Sequence, residues 1–142
     1  MIDPRIVKFI KAHHVLTIAT STDDKPWTAN CFYVFLEDEA VFVFTTDDDT
    51  RHGKEFEKNP LVAGSVVLET NVIGKIQGIQ FEGKASRPGD DLAKKAKKAY
   101  LRRFPVAALM NTSLWIVELS HIKMTDNRLG FGKKLSWNRT EG

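Results

Sequence analysis

The sequence has only one cysteine, no long apolar run and none of the common nucleotide or hydrolase fingerprints. Cys31 alone excludes an internal disulfide and fits a reducing compartment. The apolar stretches CFYVFL and VFVFTT are far shorter than the ~20 residues of a membrane-spanning helix, and no charged-then-apolar signal pattern opens the chain. G-x-S-x-G, G-x-x-x-x-G-K-[ST] and G-x-G-x-x-G motifs are all absent. We therefore predict a cytoplasmic protein that does not span a membrane.

The charged residues and the histidines point to no nucleic-acid or metal site. Lys and Arg number 21 against 18 Asp and Glu, and the resulting net charge of +3 does not imply nucleic acid. The lysine-rich segment 94–103 is most simply a solvated helix face, with nucleic-acid or anionic-lipid binding as the alternative. The four histidines include no pair with three residues between them, the spacing that puts two metal ligands on one helix face. We predict no metal.

Alternating apolar and turn-forming residues predict a mainly β protein with peripheral helices, in one domain over residues 1–142. Asp3 and Pro4 mark the start of a first helix, and a later helix carries acids at its start and bases at its end. Six strands with hairpin spacing favour a small closed antiparallel barrel. The predicted strands are VLTIATS, WTANCFYVFL, AVFVFTT, LVAGSVVLET, GKIQGIQFEGKASRP and LWIVELSHIKMT. Because these strands are apolar on both faces, we expect a homodimer to cover the barrel.

The C-terminal segment DNRLGFGKKLSW is rich in glycine and lysine. It is not among the six predicted strands. Two interpretations stay open: a loop that covers a ligand, and plain packing of the chain terminus.

The stretch TTDDDTRHGKEF, residues 45–56, is the strongest candidate for a site. Thr50 can cap a helix that begins at Arg51, so that free backbone amides, a hydroxyl, a guanidinium and His52 would meet where an anion could sit. The alternative is a capped surface helix with a solvated charge cluster. The aspartates 47–49 weaken the anion interpretation if their side chains face the same place.

Several motifs together resemble those of the YhbP-like family, a branch of the pyridoxamine 5′-phosphate oxidase-like, FMN-binding split-barrel proteins. They are HVLTIATS…PWTANCFYVF, FTT…TRH…F…NPLVAGSV, GIQFEGKA, YLRRFP and IKMTDNRLGFGKKLSW, which run over nearly the whole chain. The resemblance implies a six-stranded antiparallel split β-barrel, a homodimer, and FMN held in each of two clefts between the subunits.

The resemblance also assigns the phosphate of FMN to the candidate stretch. In the oxidases, a strand ending in Tyr-Thr and a Ser-Arg-Lys cluster before a helix hold this phosphate. Here Thr45 and Thr46 end the strand, and Thr50, Arg51 and His52 stand at the cluster, with His in place of Lys. The resemblance therefore favours the phosphate interpretation.

Other positions depart from the oxidase pattern. Asn30 and Phe35 stand where the oxidases have an Arg and a Lys that reach the flavin and its phosphate. Two alternatives follow: FMN binds weakly, or Lys54 or Lys75 compensates for the missing cations. Gln80 lies on a strand whose polar side chains approach the flavin in relatives. The Arg-x-His substrate signature of the oxidases is absent as well. We therefore do not predict oxidation of pyridoxamine phosphate.

Two functions remain for this sequence. The first is an FMN-dependent oxidoreductase of unknown substrate, in which no residue need act as acid or base. The second is a non-catalytic module that uses the same barrel to bind or sense flavin, heme or another planar ligand. The sequence does not decide between FMN and a relative such as deazaflavin, and it names neither the substrate nor the electron donor.

Overall fold

Seven antiparallel strands and three α-helices make up residues 1–140, the part of the chain that the computed structural model describes. The helices are α1 (Pro4–Ala12), α2 (Arg51–Lys58) and α3 (Asp90–Arg103). The strands are β1 (Val15–Thr22), β2 (Lys25–Leu36), β3 (Val41–Thr46), β4 (Leu61–Val67), β5 (Gln77–Ser86), β6 (Ser113–Asp126) and β7 (Lys134–Asn138).

Strands β1 to β6 close into the predicted six-stranded barrel. The sheet order is β3-β2-β1-β4-β5-β6-β7, and β3 also pairs with β6, which joins the two ends of the sheet. Strand β6 allows this because it is 14 residues long. Along one edge it pairs first with β3, over Ser113 to Glu118, and then with β7, over His121 to Thr125.

The C-terminal segment, which was not among the six predicted strands, contains a seventh strand, β7, over Lys134–Asn138. Gly130 and Gly132 have φ angles of 130° and 73° and make the turn that brings this segment back against β6. Leu135 and Trp137 then pack on the barrel core at a spacing of two residues. The glycines that suggested a loop are therefore confined to the turn that precedes the strand.

The apolar residues form two layers, one inside the barrel and one between the barrel and α3. The inner layer is centred on large rings such as Tyr33, Phe42 and Phe81, all of them buried. In the outer layer, Val43 of β3 packs with Tyr100 of α3. Helix α3 thus covers the outer face of β3, so this strand does not need a second subunit as its cover.

Both predicted helix caps are confirmed. The Asp3 carboxylate accepts a hydrogen bond from the backbone N–H of Arg5 at 2.9 Å, and Pro4 follows as the first helical residue. The Thr50 hydroxyl accepts a hydrogen bond from the N–H of Gly53 at 3.1 Å. Within residues 1–140, no helix is long and apolar enough to cross a membrane.

The crossing of β1, β4 and β5 leaves no room for a side chain at Gly64. A Cβ at this position would lie 2.3 Å from Cζ of Phe81 and 2.3 Å from the backbone oxygen of Thr17. We therefore expect Gly64→Ala to lower the free energy of unfolding by roughly 1–3 kcal/mol.

The matched control is Gly74→Ala, since a Cβ there would meet nothing within 4 Å. We expect it to change stability by no more than about 0.5 kcal/mol. Urea unfolding of the two variants and the wild type measures the difference. Equal stability of the two variants would contradict the close packing of β1, β4 and β5.

Candidate ligand-binding site

The first two side chains of α2, those of Arg51 and His52, point in different directions. Successive residues of a helix are about 100° apart, so Arg51 and His52 cannot both face one pocket wall. The His52 ring turns inward, with Nε2 2.5 Å from Oγ1 of Thr46 and 3.4 Å from Oγ1 of Thr50. Thr46, Thr50 and His52 therefore form one cluster at the end of β3.

His52 is held as a neutral imidazole. Burial lowers its pKa below the ordinary value of 6.5, and the nearby carboxylate of Glu55 opposes this shift less strongly. The ring also packs edge-on against Phe56, with a centroid separation of 5.7 Å. At neutral pH this side chain therefore offers a hydrogen bond rather than a positive charge.

The Thr50 hydroxyl serves the helix cap. It accepts from the N–H of Gly53 and donates to the backbone oxygen of Asp47 at 2.7 Å. The N–H groups of Arg51 and His52, which have no partner inside the helix, form no hydrogen bond with any other part of residues 1–140. The open donors at this helix start are therefore two backbone amides.

The carboxylates of two of the three aspartates before α2 already accept hydrogen bonds from other groups of the chain. The Asp48 carboxylate accepts hydrogen bonds from Arg87 at 3.2 Å and from Ser113 at 2.8 Å. The Asp47 carboxylate accepts from the N–H of Asp49 at 3.0 Å. Only Asp49 lines the groove next to the helix. The acidic run thus opposes an anion less than its sequence suggests.

Arg51 points along α2 rather than toward the His52 cluster. Its guanidinium carbon lies 4.2 Å from the centre of the Trp27 ring, and its Nε is 3.4 Å from Oε1 of Glu55. That carboxylate oxygen is buried and also accepts a hydrogen bond from Thr20 at 3.0 Å. Arg51 and Lys54 line a groove of about 400 Å³ between α2 and the β1–β2 turn.

Asn30 and Gln80 lie on the outer face of the barrel, in one row across the sheet. Asn30 pairs with Thr17, Thr17 with Ser65, and Ser65 with Gln80. The Thr17 hydroxyl donates to Oδ1 of Asn30 at 2.7 Å. Gln80 belongs to the rim of a shallow pocket of about 510 Å³ with a floor of small side chains. The floor contains Thr17, Ala19, Thr28, Ala63, Gly64 and Ser65.

The same rim holds two residues that sequence reasoning missed, His121 and Lys123. They lie two residues apart on β6 and therefore share a face with Gln80. Nδ1 of His121 is 2.8 Å from Oδ1 of Asn138 on β7, which fixes the ring. The two-residue spacing was visible in the sequence, but the pairing partner that orients the ring lies in the strand that was not predicted.

Thr45 and Lys75 lie apart from the other candidates. Oγ1 of Thr45 is 3.4 Å from the Tyr100 hydroxyl, in a cleft of about 410 Å³ under α3. Lys75 is exposed in a short 3-10 helix, Ile73–Lys75, beyond the far end of β4. The seven residues of β4 separate it from α2 by roughly 20 Å. The described chain therefore brings the predicted residues together in groups and not in one pocket.

Two further side chains face the core and cannot reach a ligand. Phe35 is buried, with its ring 5.5 Å from that of Phe42. Cys31 is buried as well, and burial raises the pKa of its thiol to about 11. Residues 1–140 contain no group of three or more His, Cys, Asp and Glu placed to hold a metal ion.

The chain is similar to known proteins over most of its length. The family described as Pyridoxamine 5′-phosphate oxidase matches residues 2–125. The UPF0306 protein plu4501 of Photorhabdus laumondii is 47% identical over 134 residues, which cover 94% of this chain and 94% of that protein.

Two solved structures share the fold at low sequence identity. A heme-binding protein from Mycobacterium smegmatis superposes with a TM-score of 0.79 at 20% identity, over 97% of this chain and 60% of that protein. This chain thus spans less than two thirds of that protein. A FAD-binding protein from Mesorhizobium loti superposes with a TM-score of 0.70 at 12% identity, over 87% of this chain and 94% of that protein. These similarities confirm the split-barrel architecture.

The lowered pKa of His52 makes stability depend on pH. The folded state favours the neutral ring, so this contribution is present above the unfolded pKa of 6.5 and is lost as the pH falls from there through the lower pKa of the folded state. Between about pH 7.5 and about pH 5, we expect the wild type to lose more unfolding free energy than His52→Gln. Urea unfolding at both pH values measures this loss, and equal losses would contradict a buried neutral imidazole.

Proposed function

Because the chain belongs to the pyridoxamine 5′-phosphate oxidase family, we propose that it binds FMN and acts as a flavin-dependent oxidoreductase of unknown substrate. The observation that carries this proposal is the start of α2, where the amides of Arg51 and His52 have no partner within residues 1–140. A helix start with free N–H groups binds phosphate well, because the helix dipole adds to the hydrogen bonds.

We further propose that the flavin lies between two copies of the chain. The predicted contacts divide between the end of the barrel, at Arg51 and His52, and its outer face, at Asn30 and Gln80. A site shared by two copies accounts for this division. The small side chains of the outer face support it, since they form a shallow surface on which a flat ring or a second barrel could pack.

Each proposed contact has a chemical role. The two amides and the Arg51 guanidinium would bind the phosphate, and the side-chain amides of Asn30 and Gln80 would orient the ring by hydrogen bonds. Bound FMN would supply the redox chemistry itself. His52 would contribute its backbone N–H, since its neutral ring is turned inward to Thr46. No residue is assigned as a general acid or base.

We expect weaker FMN binding because Asn30 and Phe35 stand where the oxidases have an Arg and a Lys. Each lost charged hydrogen bond costs roughly 1.5–3 kcal/mol, so the affinity should be lower than in relatives that keep both. Lys54 is placed to compensate from its own chain because it lines the groove beside Arg51. Lys75 lies beyond the far end of β4 and could act only on a site of another copy.

FMN titration followed by quenching of flavin fluorescence tests the proposal. We expect the wild type to bind FMN and Arg51→Ala to bind it about ten- to a hundredfold more weakly, since a charged hydrogen bond is lost. The matched control is Arg102→Ala, because Arg102 is likewise an exposed arginine but lies on α3, a different helix from Arg51. No binding to the wild type, or equal affinities in all three proteins, would contradict the proposal.

The second candidate function is a non-catalytic module for heme or another planar ligand. His121 favours it, because it lines the outer-face pocket and its Nδ1 is fixed by Asn138. An imidazole held at Nδ1 by an oxygen presents Nε2 as a ligand for iron. The solved heme-binding protein from Mycobacterium smegmatis has the same fold.

Hemin titration separates the two functions. If the module binds heme through His121, the wild type should develop a sharp Soret band that His121→Ala loses, while Arg51→Ala keeps it. The bound form should also fail to turn over with electron acceptors. An unchanged band in His121→Ala would exclude this histidine as the axial ligand.

A further inference from the structure

The groove between α2 and the β1–β2 turn is lined by four cationic side chains. Arg51, Lys54 and Lys58 recur at a spacing of three and four residues, so they share one side of the helix, and Lys25 faces them from the start of β2. Within residues 1–140, none of the three lysines forms a salt bridge. The row extends for roughly 10 Å along the helix, at 1.5 Å per residue.

A polar atom without a partner lies in the wall of this groove. Oγ1 of Thr22 is buried and has no hydrogen-bond partner among the described residues. A buried hydroxyl without a partner is unfavourable, and such groups are rare in native structures.

Three carboxylates also line the groove, and they do not act equally. Glu55 is already paired with Arg51 and hydrogen-bonded by Thr20. Asp23 and Asp49 are exposed and form no salt bridge with the described residues. Among the groove residues without a salt-bridge partner, the three lysines thus outnumber the two aspartates. These aspartates should weaken the binding of an anion by an amount that can be measured.

An aromatic ring lies beside the groove. Trp27 carries the Arg51 guanidinium on its ring and still exposes 44% of its surface. An exposed indole next to a row of cations suits a nucleotide, because the base can stack on the ring while the phosphates meet the cations.

We propose that this groove binds the adenosine diphosphate moiety of a dinucleotide. The proposal deepens the proposed function and rests on it for the identity of the whole ligand. The same moiety occurs in FAD, where it would extend the bound flavin past a single phosphate, and in nicotinamide dinucleotides, where it would bring a hydride donor to the protein. In both cases the diphosphate would lie along the row of Arg51, Lys54 and Lys58, with the base at Trp27.

Calorimetric titration with ADP, which contains no flavin, tests the groove by itself. We expect the wild type to bind ADP, and Lys54→Ala and Lys58→Ala to bind it at least about tenfold more weakly, since each removes a charged contact. Asp49→Asn should bind ADP more tightly. The control is Lys94→Ala, an exposed lysine of α3 outside the groove, which should bind as the wild type does.

Absence of ADP binding, or equal ADP affinity in all of these proteins, would overturn the proposal. A second arm distinguishes the two sources of the moiety. If FAD is the ligand, it should bind more tightly than FMN, and Lys58→Ala should remove that difference. If the ligand is a nicotinamide dinucleotide, FMN and FAD should bind equally, and Lys58→Ala should weaken NADH or NADPH instead.

The same titrations keep this proposal separate from the proposed function. FMN binding without ADP binding would overturn the groove alone. ADP binding that depends on Lys54, in a protein that ignores FMN and FAD, would support the groove and contradict the flavin-dependent function.

Discussion

The pairing of β3 with the first half of β6 is the contact on which the rest of the structure depends. It closes the barrel, and its last pair places Thr46 opposite Ser113. The Ser113 hydroxyl then holds the Asp48 carboxylate, and Arg87 holds the same carboxylate from the segment before α3. These bonds fix the turn from which α2 begins. The position of the candidate phosphate site thus follows from the closure of the sheet.

Helix α2 separates two kinds of chemistry that are adjacent in the sequence. Toward the barrel it places a neutral imidazole among hydroxyls, and toward solvent it places a row of cations. The open donors at its start belong to the backbone, so the proposed phosphate contact does not depend on the charge of His52. This arrangement is compatible with a histidine where the oxidases have a lysine. The positive charge for the proposed phosphate contact comes instead from Arg51, whose position is fixed by Trp27 and Glu55.

Local signals in the sequence predicted most of the fold. Caps at Asp3 and Thr50 and the charge pattern of α3 each depend on neighbouring residues, and each was confirmed. Strand β7 was missed because its evidence is a pairing with β6, which is distant in sequence, while nearby glycines suggested a loop. The site was harder to predict for the same reason. The sequence alone does not show that the side chains of Arg51 and His52 point in different directions. Nor does it show that Thr17 and Ser65 lie between Asn30 and Gln80 in one row across the sheet.

Cys31 gives the chain an internal reporter of barrel opening. It is the only thiol in the sequence, it is buried on β2, and its high pKa keeps it protonated at neutral pH. A thiol in this state reacts with alkylating reagents only when the strands around it separate. The rate of alkylation therefore measures how often the barrel opens. Slower alkylation in the presence of a ligand would report that the ligand holds the barrel closed, even for a ligand without colour.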